Sequence, residues 1–441
     1  MSSAVLVGAA EKAIDVPLFA ELGGYGPFKG RRNIGVRDPL YCRVLTVNDG
    51  TRRAVIIITD MIASSQLHSR MLRMELAEEF SLFPDAVMFA GTHTHSAPCL
   101  ASCDVGYGEP SAEFAANWRV AVRSAVREAV ANEEAVTAFA GKAPIRKQIG
   151  SRRTMGGDRH TDPEIRFVKF CRKDGSVKLL LHNHAMHGVV FGPQLLVSAD
   201  WMGDVNRKLK ERRLAEIPLF LYGTAGDVNV IWTHKGPERD KNLEWISESY
   251  TNDLEAALDE CEELPLFKVE SLLKSVELPT EKVDPAEYRS VAEKLREKAE
   301  QNLGDVKLLN FIHDRMIEMA VMAERGHDFR VIRDFQILRM GELEIFAIPG
   351  EAFLSIGEEL MQKARVKFPL ALSVANGDSG YFPDEEMFAR YPSVFDCDDF
   401  GAFGFYEVWF GPGQLRAKFK PEISDFIVEK LLEMEKELEQ R

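Results

Sequence analysis

A repeating order of strand, polar loop and helix constrains this chain more than any other feature of its sequence. Ala54-Val55-Ile56-Ile57-Ile58-Thr59-Asp60 is a β-branched run, too short for a core helix, and it closes on an acid. Residues 64–83 then read as a helix and Ala86 to Ala90 as the next strand. Ala112 to Ala131 is helical, with Ala and Val recurring at three- and four-residue spacing. Lys178 to His182 and Pro218 to Tyr222 are further strands, the second opening into the turn-rich Gly223-Thr224-Ala225-Gly226-Asp227. This alternation predicts a layered α/β fold with a mixed sheet.

The rhythm changes near residue 280. Residues 284–325 are rich in Glu, Lys and Arg, and read as two helices joined near Gly304-Asp305 whose charge is a solvated face. Arg330 to Leu338 and Leu343 to Ile348 follow as strands, and a helix rich in Glu, Lys and Leu follows Pro421. With no repeat or Pro/Ser-rich linker, the expected organisation is one catalytic domain over 1–441 with a helical insertion at 284–325.

The 441 residues carry a net charge of −14, which argues against nucleic acid as the main partner. No basic leader precedes a long apolar run at the N-terminus, and no segment approaches a membrane span. The six cysteines form no CxxC pair, although Cys99 and Cys103 are a weak zinc hint. Reduced thiols in a cytoplasmic protein are expected.

Four segments place metal-capable residues at predicted strand ends. They are Thr92-His93-Thr94-His95, the run from His182 through His184 to His187, Pro349-Gly350-Glu351, and Asn376 to Pro383. Five of the ten histidines fall in the first two. In extended chain His93 and His95 share one face and look into one pocket. Each residue also has an ordinary explanation. His182 and His184 suit strand positions, Glu351 a helix start, Tyr381 packing beside Phe382, and Asp227 a turn. Gly377-Asp378-Ser379-Gly380 echoes a serine-protease nucleophile loop, but Tyr381 follows where glycine is needed.

Together these segments resemble the neutral/alkaline, non-lysosomal ceramidase family. The residues that carry the resemblance are Gly23-Gly24-Tyr25-Gly26, Val36 to Tyr41, and Gly91-Thr92-His93-Thr94-His95-Ser96-Ala97-Pro98. His187-Gly188 leading to Ser198-Ala199-Asp200, Gly226-Asp227-Val228-Asn229, Pro349-Gly350-Glu351 and Gly380-Tyr381-Phe382-Pro383 complete it. The resemblance implies one Zn2+ per chain, held by His93, His187, Glu351 and Tyr381. It places His95 beside the bound water or substrate, gives Tyr381 a second role at the oxyanion, and calls for an arginine, either Arg152 or Arg153, with Arg153 taken as the catalytic one. Asp200 or Asp38 is expected to orient a ligand imidazole through its second nitrogen.

An open zinc site lowers the pKa of its water from ~15.7 towards ~7 and polarises a carbonyl, which suits amide hydrolysis. The implied activity is therefore zinc-dependent cleavage of a ceramide-like N-acyl lipid. Two alternatives stand beside it: an esterase or deacetylase acting on a small polar or sugar substrate, and a non-catalytic metal- or ligand-binding relative. Gly188 stands where the family usually has proline, and Cys99-Leu100 where it has small residues. The chain ends at Arg441, shortly after Pro421. It is therefore expected to lack the C-terminal β-sandwich and secretion signal of the true ceramidases.

Overall fold

The computed structural model describes residues 5–25, 30–100, 108–155, 160–231, 238–392, 405–409 and 418–441. Cys103, Cys397 and Gly26 lie outside them. Three sheets organise the chain, and each consists of antiparallel strands plus one parallel pair. The first contains Leu6–Ile14, Leu40–Asn48, Arg53–Thr59 and Val87–Gly91, the last two running parallel. In the second, Val177–His184 runs antiparallel to Glu164–Cys171 and parallel to Ile217–Tyr222. In the third, Leu343–Ala347 runs antiparallel to Val331–Met340 and parallel to Phe368–Leu372. The chain is thus a mixed-sheet α/β protein, as the alternation predicts.

A strand buried on both faces should be apolar along its interior, and residues 54–58 of Arg53–Thr59 are, with Ile56, Ile57 and Ile58 essentially inaccessible. Ile56, Ile58, Met88, Leu181, Leu219, Leu221, Ile345 and Leu370 belong to one apolar cluster drawn from all three sheets. The parallel pairs therefore meet in the middle of the molecule. Ala90 bridges Ala375, Asn376 N donates to Phe89 O at 2.7 Å, and Ser373 N donates to Tyr222 O at 3.1 Å. The carboxyl ends of parallel strands are where α/β folds open a crevice. Here three such ends are brought together.

The helix Ala112–Ala131 matches its expected bounds because both signals are local. Ser111 Oγ accepts from Phe114 N, and Phe114, Trp118, Val122, Ala125 and Ala129 make the buried stripe. Pro285–Glu300 and Val306–Glu324 are the two predicted helices, capped by Asp284 and Asp305. They fill the connection between the antiparallel strands Val269–Leu278 and Val331–Met340. Among the described residues no helix is long and apolar enough to cross a membrane, and Cys42, Cys99, Cys171 and Cys261 are free thiols.

Candidate metal centre

Three of the candidate ligands stand just beyond a strand of a parallel pair. His93 follows Val87–Gly91, His187 follows Val177–His184, and Glu351 follows Leu343–Ala347. Glu351 and Tyr381 are partners in a short parallel ladder, and Glu351 N donates to Gly380 O at 2.8 Å. All four side chains are buried, with His93 and His187 fully inaccessible.

Glu351 Oε2 lies 3.3 Å from His93 Nε2 and 3.1 Å from His187 Nε2. His95 Nε2 lies 3.3 Å from His93 Nε2, and the ligand nitrogens of His93, His95 and His187 fall within 4.8 Å of one another. His93 Nδ1 donates to Ile62 O at 2.8 Å and His187 Nδ1 to Val228 O at 3.1 Å. A carbonyl only accepts, so each Nδ1 carries a proton and each Nε2 faces the carboxylate; burial works against a charge on His93, but Glu351 outweighs it and raises the His93 pKa. A buried carboxylate faced by two Nε2 atoms takes a cation between them, a proton or a metal ion that displaces it. The donor set therefore fits a zinc ion, with nitrogen and oxygen ligands and both imidazoles fixed from behind.

Burial works against an ionised Glu351, but His93 and His187 outweigh it and hold its pKa well below the carboxylate range. Burial also opposes a charge on His95, and His93 and His187 add to the effect, so His95 is kept neutral.

The pair His93 and His95 converges, but not by strand alternation. The strand ends at Gly91 and His93 adopts φ 67°, a left-handed turn, with its amide donating to Met61 O at 2.9 Å. That turn swings the rings into an edge-on contact with centroids 4.9 Å apart. Gly188 explains the missing proline. A Cβ there would meet Met202 Cε at 2.5 Å and His93 O at 2.8 Å.

The expected role of Asp38 or Asp200 is corrected, because backbone carbonyls hold the ligand imidazoles. Asp38 instead accepts from Ser198 Oγ at 2.7 Å and Ala199 N at 2.6 Å. Asp200 Oδ1 accepts from Trp201 N at 2.8 Å, and its buried Oδ2 has no hydrogen-bond partner. Burial first, then Asp38, raises the Asp200 pKa to about 7. The unfolded chain is ionised above pH ~4 while the folded chain keeps the proton, so stability falls as pH rises from about 4 to about 7. Asp200→Asn should remove roughly 4 kcal/mol of that fall, the free energy of a three-unit shift. Asparagine also tolerates φ 54° at this position. Denaturant melts of both proteins at several pH values check this.

Arg152 and Arg153 separate in space. Arg152 is held by Asp227 and by Asp384. Arg153 lies over the Tyr381 ring at 5.1 Å, donates to Gly226 O at 2.6 Å and pairs with Glu407 at 3.0 Å. His182 and His184 stand in a separate buried network, His182 with Tyr250 and Asn206, His184 with Asp162.

Tyr222 is the residue the sequence reading missed. It stacks on His93 at 4.6 Å and 20°, and its hydroxyl lies 3.2 Å from His187 Nδ1. As the last residue of an apolar strand it carries no motif. Tyr222→Phe keeps the stack and removes the hydroxyl. It should weaken metal affinity about tenfold, the lower end for partners that orient a ligand imidazole. Competitive titration against a chromophoric chelator reads this directly.

Fold and site together define an α/β protein with a buried His/Glu centre at the ends of parallel strand pairs. No family model and no curated protein matches the chain by sequence. Solved structures do match it. The neutral ceramidase from Pseudomonas aeruginosa superposes with a TM-score of 0.72 at 14% identity, covering 99% of this chain and 75% of that one. A ceramidase complexed with C2 gives 0.74 at 14% identity, covering 99% and 76%. The chain thus has the neutral ceramidase fold over essentially its whole length.

Proposed function

We propose that this chain is a ceramidase-type, zinc-dependent amidohydrolase, one domain over 1–441, that cleaves the amide of an N-acyl lipid such as an N-acyl sphingoid base. One observation carries the reading. On a ceramidase fold, Glu351 Oε2 and the Nε2 atoms of His93 and His187 converge within 3.3 Å, with both imidazoles anchored from behind. A zinc ion held there, with Tyr381 as the fourth ligand, would supply an acidified water and polarise the scissile carbonyl.

The remaining steps belong to the chain. His95, beside the centre, would take the proton released by the attacking water and pass it to the leaving amine. Tyr381, with the Arg153 guanidinium over its ring, would hydrogen-bond the developing oxyanion through its hydroxyl.

The arginines favour a lipid over a small anionic substrate, because Arg152 and Arg153 are both engaged by internal carboxylates. A panel of N-acyl sphingoid bases, N-acetyl amides and acyl esters of small polar alcohols tests the choice. Faster release from long-chain amides supports the reading. Turnover confined to acetyl amides or esters would replace it with the deacetylase or esterase reading.

A further inference from the structure

Five exposed apolar side chains gather on adjoining backbone: Leu18, Phe19, Ile34, Val36 and Leu195. Phe19 N donates to Asn33 O at 3.0 Å and Ile34 N to Leu195 O at 2.9 Å. Gly35–Val36 pairs in parallel with Leu196–Val197, and Ile34 and Val36, two apart, share a face. Phe19 is the most telling member. Its backbone sits at φ 64°, a conformation costly for a bulky side chain, yet its ring is 65% exposed. Strain of this kind is normally sustained by packing, and here the ring faces water.

The same loops hold His95. Arg31 Nη2 donates to the carbonyl oxygens of Gly23 at 2.6 Å and His95 at 3.2 Å, and Tyr25 packs edge-on against the His95 ring at 4.8 Å. Gln194 Nε2 donates to Ser96 Oγ at 3.0 Å, tying the Leu195 side to the same turn. His95 is also the most exposed of the three clustered imidazoles. The patch thus borders the side of the centre that a substrate reaches. Its charge differs from that of the chain. Residues 17–37 hold four cationic side chains and a single acid, in a protein of net charge −14. Among the described residues of this stretch Arg32 and Arg37 are the exposed cations, although Glu109 and Asp240 already partner them.

We propose that this patch docks the chain on a phospholipid surface. Leu18, Phe19 and Ile34 enter the acyl boundary while Arg32 and Arg37 stay at headgroup level. Docking there turns the His95 side of the centre towards the lipid layer, so the substrate need not cross bulk water. The inference deepens the N-acyl lipid reading, and its test needs no turnover.

The test is co-sedimentation of the full chain with phosphatidylcholine vesicles, with and without phosphatidylglycerol. The wild type should pellet with both, more strongly with the anionic vesicles. Phe19→Asn combined with Ile34→Ser should lower the partition coefficient about tenfold or more, given the apolar area returned to water. Asparagine relaxes the backbone at position 19, and a thermal melt confirms folding. Leu195→Ser, on the other loop, provides a second variant with the same expected direction. Leu67→Ser with Met74→Ser, on the exposed stripe of the Gln66–Phe80 helix, should leave partitioning unchanged. Binding should also persist in His93→Ala, which separates docking from hydrolysis.

A wild type that stays in the supernatant with both vesicles overturns the proposal, as does a Phe19/Ile34 variant that pellets undiminished. A concentration-dependent dimer that the same variant abolishes, without vesicle binding, would assign the patch to a second copy of the chain.

Discussion

Glu351→Gln should leave a folded protein that neither retains zinc nor hydrolyses amide. Glutamine preserves the shape of the side chain and removes the one anion to which the Nε2 atoms of His93 and His187 both point. Two neutral imidazoles remain, each still donating Nδ1–H to a carbonyl, so the metal-free chain loses no obligatory partner. What is lost is the charge that offsets a divalent ion in a buried site. The expected cost in kcat/KM is on the order of 10³-fold or more, about 4 kcal/mol of transition-state stabilisation. Metal analysis and kinetics on the same preparation separate this from misfolding. A glutamine variant with full zinc and full turnover would remove Glu351 from the account.

His95→Ala should behave differently, retaining zinc while losing turnover. His93 and His187 each have a backbone carbonyl behind the ring, as imidazoles that hold metals do. His95 lacks that anchor, and its buried Nδ1 has no hydrogen-bond partner. Without that anchor the ring suits a proton carrier better than a ligand. Loss of such a group lowers kcat by roughly 10²–10⁴-fold with metal content unchanged. Gly24→Ala should reproduce part of the defect, because a Cβ there would stand 2.4 Å from His95 Nδ1 and the backbone lies at φ 86°. Zinc lost along with the imidazole would instead establish a three-histidine ligand set.

What could be read from the sequence follows the range of the forces involved. The Ala112–Ala131 helix was legible because its cap and its buried stripe lie within its own residues. The two helices of the insertion were legible for the same reason, with Asp284 and Asp305 marking their starts. The pairing of strands into three sheets depends on contacts between distant segments, and periodicity alone does not express it. At the site, His93, His187, Glu351 and Tyr381 came from motif resemblance, and the structure brings them to neighbouring strand ends. The left-handed turn at His93 was not legible, since nothing in Thr92-His93-Thr94 demands φ 67°. Nor were the anchors Ile62 O and Val228 O, because a carbonyl leaves no trace in residue identity. Asp38 and Asp200 were expected in that role, and local backbone amides claim them instead.

The most direct test of the central claim is fatty-acid release from an N-acyl sphingoid base by the purified chain, with zinc content measured alongside. One zinc per chain is expected, with activity lost on chelation and restored by zinc, and neither metal nor activity in His93→Ala. A protein that hydrolyses the amide unchanged after its metal is removed, or that binds one zinc and releases no acyl group from any amide, would contradict it.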